Sequence, residues 1–176
     1  MIKIAAMVGT PDLTRETLAV YRGDLDTAFS KLADLGYDGV EFMTKDPSKL
    51  DGASIRRSLD AKHLQLVGIC TGHVYGEDGL GLVGPDSENC RAAMNRLKQI
   101  VDFASAYFGK GTLINLGRSR GLGYPNDAKT SLARFEEAFR ELADYAAPHE
   151  IQWVLEPINM HQASYILTTQ EGIAMV

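Results

Sequence analysis

The feature that most limits what this chain can fold into is its rhythm. Short runs of β-branched and apolar residues alternate with longer segments of helical period, about one pair every 30 residues, the size of a strand-helix unit. Strands are expected at roughly 2–8, 38–43, 64–70, 111–116 and 151–156. Between the first two, Asp24 can cap a helix whose apolar face is Leu25, Phe29, Leu32 and Leu35, and Gly36 can end it in a left-handed turn. A second helix, about 51–62, carries Ile55 and Leu59 among charged residues.

The third helix is the most regular. Cys90, Met94, Leu97, Val101, Ala104 and Phe108 step by four and three, which keeps one face buried. The fourth repeats the pattern with Leu132, Phe135, Phe139, Leu142 and Ala146. Thr168-Thr169-Gln170-Glu171 has capping-box spacing and opens a fifth helix, of whose buried face only Ile173, Met175 and Val176 are written. A helix that short, against a usual length of about 11 residues, predicts a truncated chain.

Strict strand-then-helix order fits either an open doubly wound sheet or the first part of an eightfold parallel barrel. The doubly wound alternative wants a glycine-rich first turn, and Val8-Gly9-Thr10-Pro11-Asp12 is no dinucleotide fingerprint. The expected fold is therefore an incomplete parallel (β/α) barrel, about five units of eight. With no repeat and no Pro/Ser-rich linker, residues 1–176 are expected to form a single domain.

Composition narrows the partners. A net charge of −5 and a pI near 5.3 give no general attraction to phosphate backbones or anionic lipid, so neither nucleic acid nor a membrane is expected as a partner. Cys70 and Cys90 lack the spacing of a zinc knuckle or a redox pair and read as small core residues. The apolar run Met1–Val8 is too short for a secretory signal, and the cytoplasm is the expected location.

In parallel α/β folds chemistry collects where strands end at their C-termini. Trp153-Val154-Leu155-Glu156-Pro157-Ile158-Asn159 places Glu156 at such a tip, where a carboxylate can hold a hard cation and orient a hydroxy-carbonyl substrate. Pro157 fixes the backbone, and Asn159 can hold a substrate hydroxyl or a supporting group. Glu41 follows Gly39-Val40 in the second strand; it reads equally as a substrate contact or as an inward carboxylate paired with a neighbouring strand. His73 follows the third, as a ligand or substrate contact or as a satisfied structural histidine. Gly117-Arg118-Ser119-Arg120-Gly121 offers two guanidinium groups suited to phosphate or carboxylate, or else forms a solvated loop.

Gly36-Tyr37-Asp38-Gly39-Val40-Glu41, Val67-Gly68-Ile69-Cys70 leading to His73, and above all Leu155-Glu156-Pro157-Ile158-Asn159 followed by Thr168-Thr169-Gln170-Glu171 resemble the xylose-isomerase-like TIM-barrel superfamily. That superfamily includes sugar phosphate isomerases, hydroxypyruvate isomerase, ketose 3-epimerases and, more remotely, type IV apurinic endonucleases. The resemblance implies a TIM-barrel-type fold, with Glu156 as ligand of a divalent cation (Mn, Co, Mg or Zn) and as participant in proton transfer. It implies substrate contacts for His73 and Asn159, alongside Glu41, Arg118 and Arg120 as substrate-binding candidates. Gln162 stands where many relatives carry a second glutamate, and neutral Gln cannot accept the proton. The remaining family ligands, an Asp, a His and a Glu on later strands, fall beyond Val176.

The expected function is metal-dependent isomerisation or epimerisation of a sugar or sugar phosphate by proton transfer through an enediolate, with the truncated chain itself inactive. Two alternatives stand beside it: a non-catalytic or assembly-dependent half-barrel, pairing with itself through its open edge, and an abasic-site hydrolase.

Overall fold

A computed structural model describes residues 2–15 and 18–176. Its centre is one parallel sheet of six strands: β1 (Ala5–Gly9), β2 (Tyr21–Arg22), β3 (Gly39–Met43), β4 (Gln65–Cys70), β5 (Leu113–Leu116) and β6 (Gln152–Leu155). Their spatial order is β2-β1-β3-β4-β5-β6. Apart from the two-residue β2 on the outer edge of β1, chain order and spatial order coincide, as in a sheet curling toward a barrel. All five pairings are parallel, so every strand ends at the same rim.

Helices α1 (Leu25–Asp34), α2 (Gly52–Ala61), α4 (Ser87–Tyr107) and α5 (Ala128–Ala146) make the crossovers, with short α3 (Gly72–Gly76) after β4 and α6 (Thr169–Met175) after β6. Aspartates start the four long ones. Asp24, Asp51, Asp86 and Asp127 each accept from a first-turn amide, which satisfies donors that the helix cannot pair internally. Thr168 and Glu171 form the expected reciprocal capping box.

The core lies between the helices and one face of the sheet. Val40, Phe42, Ile69, Ile114 and Leu116 point there and are fully buried, against Phe29 and Leu32 of α1, Leu59 of α2, Leu97 and Val101 of α4, and Phe135 and Leu142 of α5. Phe42 stacks on Phe29 and meets Phe108 edge-on. Two helix faces differ from expectation. Leu35 is the C-cap of α1 and is exposed, Ala28 taking the buried place; Ile173 and Val176 are exposed, while Gly172 packs on Pro157 so closely that a Cβ would lie 2.9 Å from Pro157 Cγ.

Alternation sends the intervening residues to the other face, where Met7, Glu41, Cys70 and Asn115 stand beside the exposed Leu113 and Val154. A register shift between Val40 and Glu41 sets Glu41 opposite Gly68. Among the described residues no helix is long and apolar enough to cross a membrane.

Candidate active site

The loops leaving the strand tips are tied to one another by buried polar groups. Asp12, after β1, accepts from Thr10 Oγ1, from Thr44 Oγ1 at 2.9 Å and from the amides of Lys45 and Asp46 at 2.8 Å, fixing the loop after β3. After β5, Arg120 is wholly buried and donates to the carbonyls of Gly117, Glu156, Tyr165 and Ile166, with its guanidinium over the Tyr165 ring. This clamp anchors the segment after β6, which carries Glu156.

Within that rim lies a cavity of about 760 Å³ bordered by Met7, Glu41, Cys70, His73, Asn115, Arg118, Glu156 and Gln162, among others. A comparable cavity, about 710 Å³, opens at the opposite ends of β4 and β5. Its Arg56 is paired with Asp60 and its Lys110 with Glu150. The first cavity brings Glu41 and Glu156, with no ion-pair partner among the described residues, to the rim where parallel folds do chemistry.

Glu41 is half-buried, and burial first, then the charge of Glu156, raise its carboxyl above the ordinary range. Burial likewise pushes the Cys70 thiol up to about 11, helped by Glu41 and Glu156, so the sulfur keeps its proton. Glu156 follows Leu155, its amide bonded to Leu116 O at 3.2 Å. A Cβ on Gly117 would stand 2.5 Å from Glu156 Oε2 and 3.4 Å from Asn115 Oδ1, so the missing side chain is the cradle of the Glu156 carboxylate. Asn115 Oδ1 is buried without a hydrogen-bond partner.

Three of the sequence-based candidates thus meet: Glu41, His73 and Glu156 face one cavity, with Arg118 at its exposed edge over the Tyr75 ring. Two do not join them. Arg120 is no anion clamp, since both its terminal nitrogens are spent on backbone carbonyls and the group is buried away from the cavity. Asn159 is exposed and its side-chain oxygen accepts from the His161 amide, closing a turn rather than meeting a ligand. Cys70, read as a core residue, lines the cavity, and Asn115 was not singled out at all. Its signal was a lone amide at an inward position in the apolar run Leu113-Ile114-Asn115-Leu116.

The oxygens of Glu156 and Asn115 beside the Gly117 cradle, with Glu41 across the cavity, form an all-oxygen set suited to a hard divalent cation. Among the described residues no three His, Cys, Asp or Glu side chains cluster closely enough to make a full shell. Water, substrate oxygens or other groups would complete one.

A half-curled parallel sheet with paired carboxylates at its C-terminal rim defines a barrel-type α/β protein with an acidic site. Residues 29–176 match the xylose isomerase-like TIM barrel family, and the chain belongs to it. Among solved structures it is similar to D-allulose 3-epimerase from Methylomonas sp. in complex with D-allulose, at 23% identity and a TM-score of 0.73, over 99% of this chain and 58% of that one. It is similar also to AP endonuclease, family 2, from Brucella melitensis (21%, 0.69, 97% and 62%) and to D-psicose 3-epimerase from Clostridium cellulolyticum H10 (18%, 0.75, 97% and 58%). The chain spans less than two thirds of the length of each. No curated protein matches it significantly.

Proposed function

We propose that this chain supplies the acid-base site of a divalent-metal-dependent isomerase or epimerase acting on a sugar or sugar phosphate. The observation that carries the reading is the meeting of Glu41 and Glu156 in one cavity, with Glu41 raised by burial and by its partner's charge. Two carboxylates facing one cavity are what a proton shuttle needs, one to take a proton and one to give it, and the raised Glu41 suits the second part.

Glu156 and the Asn115 oxygen would hold the cation, which when bound polarises a carbonyl and its neighbouring hydroxyl and makes the adjacent C–H acidic. Glu156 removes that proton, and the enediolate of the sugar is reprotonated from Glu41 on the other side. Cys70 of β4, whose thiol keeps its proton, and Asn115 of β5 stand on the strands between the two carboxylates, so no other charged group competes with them there. His73 and Gln162 contact hydroxyls, and Arg118 at the rim receives a phosphate where the sugar carries one. Complexes of D-allulose 3-epimerase and D-psicose 3-epimerase with ketohexoses support that substrate class.

A panel of ketohexoses and their phosphates incubated with the chain and Mn²⁺ or Co²⁺ tests the proposal. In place of the inactivity expected from the sequence, isomer formation that needs the cation and is lost in Glu156→Gln is expected, because Glu41 supplies the second carboxylate within this chain; turnover indifferent to both cation and Glu156 contradicts it.

A further inference from the structure

Glu77 stands four residues after His73, a spacing that puts two side chains on one helical face. Its carboxylate is 1% exposed and ringed by donors: Thr14 Oγ1 at 2.6 Å, the Thr14 and Arg15 amides at 3.0 Å, and Lys45 Nζ at 3.0 Å. Asp78 holds Lys45 from its other side at 2.7 Å, and Arg96 reaches Asp78 at 3.1 Å. Burial alone would raise the Glu77 carboxyl, but the bonds from Thr14, Arg15 and Lys45 outweigh it and keep the group far below the ordinary range. Glu77 is therefore a fixed anion that only accepts hydrogen bonds.

The remaining neighbour is the imidazole. His73 Nδ1 lies 3.2 Å from Glu77 Oε1, yet it is buried and has no well-aligned partner among the described residues. Burial lowers the His73 pKa, with Arg118 and Lys45 acting the same way against the pull of Glu77, so the ring is neutral at neutral pH.

We infer that Glu77 is a positioning residue for His73: facing a permanent acceptor, the neutral ring keeps its proton on Nδ1 and presents Nε2 to the cavity as a hydrogen-bond acceptor for a ligand hydroxyl. Only the identity of that ligand, a polyol, rests on the proposed function. The same carboxylate takes the amides of Thr14 and Arg15, so the loop after β1 and the ring are set by one group.

Two-bond ¹H–¹⁵N spectra of the metal-free chain at pH 8 report the tautomer directly. The wild type is expected to show Nδ1–H. In Glu77→Gln the charge-assisted bond from Lys45, with that from Thr14 Oγ1, keeps the amide oxygen on the Oε2 side; the NH₂ takes the Oε1 place, where the Arg15 amide loses its acceptor, and faces the ring, so the proton moves to Nε2. A wild-type Nε2–H ring overturns the inference, as does an unchanged Nδ1–H ring in folded Glu77→Gln. Where that variant does not fold, the wild-type spectrum decides alone. An Nδ1–H ring in a chain that binds no sugar upholds the role of Glu77 and overturns the proposed function.

Discussion

Gly117→Ala places one methyl group where the site has least room. The new Cβ would lie 2.5 Å from Glu156 Oε2, about 1 Å inside ordinary contact, and the carboxylate is the part free to move. Swinging a glutamate off its rotamer costs about 0.5–1.5 kcal/mol. Stability in urea should therefore fall by at least about that much, and the cation affinity is read on the folded variant. The cation loses a correctly placed charged oxygen, worth about 1.5–3 kcal/mol, which is about tenfold to a hundredfold in Kd. Calorimetric Mn²⁺ titration of wild type, Gly117→Ala and Gly84→Ala measures this, because a Cβ at Gly84 meets nothing within 4 Å. Wild-type affinity in folded Gly117→Ala would refute the reasoning, since it would mean that Glu156 does not face the cation.

Glu41 titrates higher when folded, so the native state binds its proton more tightly than the unfolded chain does. Its contribution is whole below the unfolded pKa and is lost as pH rises through the folded one. Glu41→Gln should therefore match the wild-type melting temperature at pH 4 and exceed it at pH 8, while turnover falls at both. Arg120→Lys cannot serve four carbonyls, and it should cost about 2–4 kcal/mol in urea unfolding; unchanged stability with lost sugar affinity would restore the anion-clamp reading.

What could be read in advance was whatever leaves a periodic or positional mark. Phe29, Leu97 and Phe135 recur at helical spacing because one face of each helix must be dry, and Glu41, His73 and Glu156 stand out because each is a lone ionisable group within or just after an apolar run. Glu77 left no such mark: its partners Thr14, Arg15 and Lys45 come from loops 63, 62 and 32 residues earlier in the chain. Arg120 misled for the same reason. Arginine among glycines reads as a mobile cation until the carbonyls of Glu156, Tyr165 and Ile166 fold around it. Leu35 failed because an apolar residue at the last turn can lie beyond the helix's contact with the sheet.

The central claim is that Glu41 and Glu156 pass a proton to and from a carbon beside a carbonyl. Incubation of the chain with Mn²⁺ and a ketohexose in D₂O, followed by mass and NMR analysis of the recovered sugar, tests it most directly. Deuterium at the carbon next to the carbonyl, abolished in Glu156→Gln and reduced at least about tenfold in Glu41→Gln, is the predicted result. Deuterium uptake that persists unchanged in both variants would contradict the account.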